Sequence, residues 1–136
     1  MSAAPLSCTI INIGQPGNIS ISGQYAGQVE QQYDNCHNVR AHWQWSSSYR
    51  TYHGSSQIIV FAEGWNGTVG VDPNSPWRPA SVAQDYYSPW TYIYANGENT
   101  WRGRAEVSAD NGAYCVAWGD WHRYSDGAQF GSVRNC

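Results

Sequence analysis

Asn38-Val39-Arg40-Ala41-His42-Trp43-Gln44-Trp45-Ser46 alternates without interruption, with Val39, Ala41, Trp43 and Trp45 at the odd positions and polar side chains at the even ones. Successive side chains of a strand point to opposite faces, so this period of two predicts a β-strand with one apolar face and one polar face. The rest of the composition agrees. The chain has eight Trp and ten Tyr, but two Phe, one Met, a single Leu (Leu6) and no Lys in 136 residues. Good helix formers are scarce, while aromatic and β-branched residues favour strands. The expected fold class is all-β.

A second long strand is predicted over 112–123, with Ala113, Cys115, Ala117 and Trp121 on one face and Tyr114, Val116, Trp118 and His122 on the other. Both faces are partly apolar, which predicts a central strand. Shorter strands are expected at 8–13, 18–22, 27–33, 57–62, 91–95 and 101–108. They are separated by turn signals such as Pro16-Gly17, Asn66-Gly67, Asn96-Gly97, Asn111-Gly112 and Asp126-Gly127. Eight strands with such turns predict an antiparallel β-sandwich or small barrel, and the length predicts one domain over 1–136. The three prolines of Asp72-Pro73-Asn74-Ser75-Pro76-Trp77-Arg78-Pro79 predict a long surface loop. Leu, Ile, Val and Phe make up only about 15% of the chain, but the net charge is −3 and the Trp and Tyr supply the missing burial.

Cys8, Cys36, Cys115 and Cys136 lack the close paired spacing of a zinc site and read as two disulfides. Of the three connectivities, Cys8–Cys36 with Cys115–Cys136 is favoured because each closes a local loop. Loop-closure entropy gives each roughly 3–4 kcal/mol. Persistent disulfides imply an oxidising compartment, so the expected location is secreted or extracellular. Met1-Ser2-Ala3-Ala4-Pro5 reads as the small-residue tail of a signal-peptide cleavage region behind an added Met, with the signal peptide removed. No apolar run is long enough for a membrane span, and seven Arg against ten acids make no basic field for nucleic acid.

Gly112-Ala113-Tyr114-Cys115-Val116-Ala117-Trp118 resembles the strand before the third hypervariable loop of an immunoglobulin variable domain. Its Tyr adjoins the Cys, however, instead of standing two residues before it, and Phe130-Gly131-Ser132-Val133 is not that family's closing strand. The segment from Val29 through Tyr33-Asp34-Asn35-Cys36 to Ala41-His42-Trp43 resembles small secreted actinobacterial proteins of unassigned function. It covers about a tenth of the chain, with the Ala-Arg and Trp elements in reversed order. That resemblance implies secretion from a bacterium and transfers no chemistry.

The loop aromatics carry the functional expectation. Trp65 adjoins the Asn66-Gly67 turn, Trp77 and Trp90 each follow a Pro, Trp101 follows Asn96-Gly97-Glu98-Asn99-Thr100, and Tyr86 and Tyr87 are adjacent. Sugar rings present C–H faces that aromatics stack on, while Asn, Gln and Asp take the hydroxyls. The competing reading folds these indoles inward in place of the absent Leu and Phe. No residue set commits to catalysis. The nearest candidates are Asp120 and His122, in the polar run Asp120-Trp121-His122-Arg123-Tyr124-Ser125-Asp126, with Glu106 or Glu98 and Arg102 as a hydrolase-like set. His37, His42, His53 and His122 show no metal-ligand spacing, and no cofactor is expected. Calcium oxygens are available from Asp72 and Asn74 or from Asp120 and Asp126, without a recognisable coordination order. Asn18-Ile19-Ser20 and Asn66-Gly67-Thr68 are glycosylation acceptors in a eukaryotic source.

The expectation is therefore a secreted, lectin-like binding module without chemistry, whose partner is an extracellular glycan or cell-wall polysaccharide. The second reading is a protein-binding adaptor or a component of a secreted complex, action against competing microbes being one use of such a complex. It rests on the Tyr/Trp/Arg surface and on a short uncharged N-terminal segment, residues 2–6, able to add to a partner's sheet edge. The third is a small secreted hydrolase or toxin.

Overall fold

A computed structural model describes residues 7–67, 69–70 and 77–136. The N-terminal segment, Thr68 of the second glycosylation acceptor, and Asp72 and Asn74 of the proline-rich loop lie outside the described residues. The chain is a β-sandwich of two antiparallel sheets. The quoted stretch forms β3 (Asn38–Trp45), in which Val39, Ala41, Trp43 and Trp45 are buried while Arg40 and His42 are half-buried on the opposite face. In sheet A, β1 (Ile10–Ile21) pairs with β2 (Gln24–Asp34), and β2 with β3. The short β7 (Asp85–Tyr87) and β8 (Thr91–Tyr92) share the far side of β3.

In sheet B, β4 (Gln57–Gly64) pairs along its whole length with β9 (Thr100–Ser108). Outside β4 lie β5 (Val69–Gly70) and β6 (Arg78–Pro79). Outside β9 lie β10 (Tyr114–Trp118) and β11 (Trp121–Arg123), with β12 (Ala128–Phe130) beyond β11. A short helix α1 (Ser47–Tyr52) follows β3. The Ser46 hydroxyl accepts from the Tyr49 amide as its N-cap, and the buried Tyr49 ring stacks on Trp45 at 5.6 Å.

Four sequence expectations are corrected, the first being the strand expected over 91–95, which ends at Tyr92 ahead of a 3-10 turn at Ala95–Gly97. The segments 8–13 and 18–22 merge into the single strand β1, which continues through Gln15-Pro16-Gly17 by a register shift between Ile13 and Gly17. The expected central strand over 112–123 divides at Gly119-Asp120. A Cβ on Gly119 would lie 2.4 Å from the Gln15 carbonyl, so the bulged β1 docks into this break. Arg78-Pro79 leaves the expected loop and pairs with β4 at the sheet edge, where a missing N–H is tolerated.

The core has two clusters. The larger joins Ile19, Val29, Trp43 and Trp45 of sheet A to Ile58, Val60, Ala105 and Val107 of sheet B, and the smaller joins Val39 to Ala62, Ile93 and Trp101. Between them the sheets approach closely: a Cβ on Gly103 would lie 2.9 Å from the Glu30 carbonyl oxygen. The disulfides pair Cys8 with Cys36 and Cys115 with Cys136, each with Cα atoms 5.7 Å apart. The second holds the C-terminal segment in the seam between the sheets. There Arg134 exchanges backbone hydrogen bonds with Trp118 of sheet B, and Cys136 pairs with Asn18 and Ser20 of sheet A. No helix among the described residues is long and apolar enough to cross a membrane.

Candidate functional site

The even positions of β3 define a polar face, and the register shows what covers it. Glu30 lies opposite His42, Gln32 opposite Arg40, and Asn12 of β1 opposite Gln32. On the other side Tyr87 lies opposite His42 and Tyr92 opposite Asn38. The outer face of sheet A is therefore a lattice of amides and charges bordered by aromatic rings.

His42 is fixed on three sides. Its Nδ1 faces Glu30 Oε1 at 3.0 Å, its Nε2 faces Asp85 Oδ1 at 2.7 Å, and the Tyr87 ring stacks on it at 4.7 Å. Tyr87 also bears on Arg40, whose guanidinium carbon lies 3.9 Å from its centroid and 4.2 Å from that of Trp90. Arg40 Nε donates to Gln32 Oε1 at 2.9 Å, and Gln32 Nε2 donates to Asn12 Oδ1 at 3.0 Å. Desolvation lowers the Arg40 pKa, with Tyr87 and Asp34 opposing the shift, and a guanidinium stays charged throughout the physiological range. Tyr87 (46% exposed), Trp90 (37%) and Tyr92 (53%) remain open to solvent, with Tyr94 edge-on to Tyr92. From the Tyr92 row to the Tyr87 row is four residues of β3, about 13 Å at strand rise.

Of the six expected ligand-binding aromatics, Tyr87 and Trp90 meet here, around Arg40. Trp65 is 61% exposed beyond the end of β4, edge-on to Trp121 and Phe130. Trp77 packs toward Tyr114, with centroids 6.4 Å apart. Tyr86 packs against the core, with its hydroxyl donating to the Pro79 carbonyl. Trp101 is 0% exposed and its indole N–H donates to the Ile93 carbonyl, so it offers no face to an external ligand. Arg40, Gln32, His42, Tyr92 and Tyr94 were not singled out from sequence as ligand-binding residues. The alternation places Arg40 and His42 on one polar face, but nothing local marks the rings that clamp them.

The outer face of sheet B carries a second aromatic row with its charges already matched. Arg102 lies between Trp118 (4.0 Å) and Trp121 (4.2 Å) and donates to Glu63 at 2.9 Å, while Arg104 pairs with Glu63 and Glu106.

The candidate catalytic pair is tied to one amide. Gln129 Nε2 donates to Asp120 Oδ1, which also accepts from the Gln15 amide. Gln129 Oε1 consequently faces His122 Nδ1, 2.6 Å away. Asp120 thus anchors the β1 bulge, and buried Glu98 accepts from the backbone amides of Asn66, Asn99 and Thr100. No metal-ligand cluster occurs among the described residues. Compared with known proteins, the chain matches no family model, no curated protein and no solved structure.

Proposed function

We propose that the chain is an extracellular, non-catalytic binding module that recognises a polysaccharide across the outer face of sheet A. The observation that carries this reading is the exposed Tyr87–Trp90–Tyr92 border beside fixed hydrogen-bonding groups on the outer face of sheet A. Aromatic faces stack on sugar C–H groups, and amides and carboxylates held in place lose little entropy when they take the hydroxyls. The two disulfides favour an oxidising, extracellular setting.

The test is binding of the oxidised protein to cellulose, chitin and isolated bacterial cell walls, with tryptophan fluorescence for soluble fragments. Saturable binding is expected to weaken about tenfold in Trp90→Ala and in Tyr87→Ala, as for a stacking contact of about 1.4 kcal/mol, and to be unchanged in Trp77→Ala. No saturable binding, or binding indifferent to both variants, overturns the reading. The adaptor reading has its own observation in the exposed Trp65 beside Trp121 and Phe130, since Trp is enriched at protein hot spots. A stoichiometric protein partner lost in Trp65→Ala, without sugar binding, is the result that selects it.

A further inference from the structure

We propose that the polysaccharide is a uronate polymer, whose carboxylate docks on the outer edge of the Arg40 guanidinium. This names the ligand class of the face described above and rests on that reading.

The argument starts from what Arg40 lacks. A guanidinium has five N–H donors in a rigid planar fork. Nε is committed to Gln32, but among the described residues the two Nη groups have no carboxylate or carbonyl partner. Arg102, Arg104 and Arg123 differ in this respect, each being ion-paired with Glu63, Glu106 or Asp126.

Acids near Arg40 are present but occupied. Asp34 accepts from the Cys36 and Asn38 amides and from the Asn38 side chain. Glu30 and Asp85 both face His42. The positive group is thus held by two rings and one amide, and Asp34 acts on it through space without a hydrogen bond.

Holding it there has a consequence for affinity. Tyr87 and Trp90 both lie against the guanidinium, with centroids 3.9 and 4.2 Å from its central carbon, and Gln32, itself held by Asn12, fixes the Nε end. A planar carboxylate matches the remaining Nη1–Nη2 edge, and little side-chain freedom remains to be lost when they meet. Lys at this position would keep the charge but lose both the stacking plane and the fork. A purely structural Arg40, serving only to pin the 85–90 segment to β3, predicts no preference for charged ligands.

The experiment measures Kd for polygalacturonate, alginate and hyaluronate, each against its carboxyl-reduced counterpart, with dextran sulfate alongside. Wild type is expected to bind at least one uronate ten or more times tighter than its reduced form. Arg40→Gln and Arg40→Lys should each abolish that preference, while Arg134→Gln, which removes the same charge at the opposite seam, should retain it. Arg40→Lys should melt within a few degrees of wild type, which separates lost recognition from lost folding. Equal binding of parent and reduced polymers, a preference that survives in both Arg40 variants, or binding confined to dextran sulfate overturns the inference. Trp90-dependent binding of a neutral polysaccharide alone would remove the uronate assignment and leave the platform standing. Failure of every polymer and of cell walls would remove both.

Discussion

Gln31 faces the interior from β2 at 2% exposure, between the two core clusters, and among the described residues neither its Oε1 nor its Nε2 has a hydrogen-bond partner. A buried amide without partners costs about 1–3 kcal/mol. Gln31→Met keeps most of the volume and removes the unmet polar groups. It is expected to raise stability by about 1 kcal/mol, roughly 3–5 °C in Tm for a chain of this length. A loss of comparable size in thermal melts would show instead that the amide is satisfied. Neighbouring positions show how far single residues are legible. Trp101, Gly103, Ala105 and Val107 alternate with Arg102, Arg104 and Glu106, so the period of two already assigns Trp101 to the buried side. Trp101 begins the strand expected over 101–108 and also stands among the expected ligand-binding aromatics, and its burial supports only the first reading. Tyr86 and Tyr87 obey the same parity: adjacent residues on one strand face opposite ways, and only Tyr87 faces solvent beside His42.

At the scale of elements, the strands with clean alternation were legible, and the larger departures arise from contacts distant in sequence. Gly119-Asp120 is a breaker pair within 112–123, but what meets the break, the Gln15 carbonyl of β1, lies about a hundred residues away. Likewise, Pro16-Gly17 reads as a turn, yet β1 passes through it because Gly17 packs directly on the Trp118 backbone. The C-terminal segment is the clearest case. It joins β10 to β1 by backbone hydrogen bonds at Arg134 and Cys136, and the Cys115–Cys136 bridge keeps it there. The double variant Cys115→Ala/Cys136→Ala should lose about 3 kcal/mol from the entropy of the opened loop. Amide exchange should accelerate first at Ser20, Trp118 and Arg134, whose N–H groups the segment engages. Uniform acceleration across both sheets would mean that the segment is not a separate clasp.

Over the whole molecule, the two outer faces use the same residue types to different ends. On sheet B, Arg102 and Arg104 meet Glu63 and Glu106, and the Trp118–Arg102–Trp121 stack is electrostatically closed. On sheet A the acids bond to His42 and within the Asp34 turn, which leaves Arg40 against two rings with no hydrogen-bonded carboxylate among the described residues. This asymmetry is not visible along the chain, because Arg40 and its clamp at Tyr87 and Trp90 meet only when β7 lies beside β3. The fold class could be read from composition and alternation, whereas the site depends on that long-range assembly. The most direct test is to map backbone amide shifts by NMR during titration with a polysaccharide fragment that binds. The account predicts that the perturbed amides cluster in Glu30–Gln32, Arg40–Gln44 and Tyr87–Tyr94. A cluster around Trp65, Trp121 and Phe130, with sheet A unchanged, would contradict it.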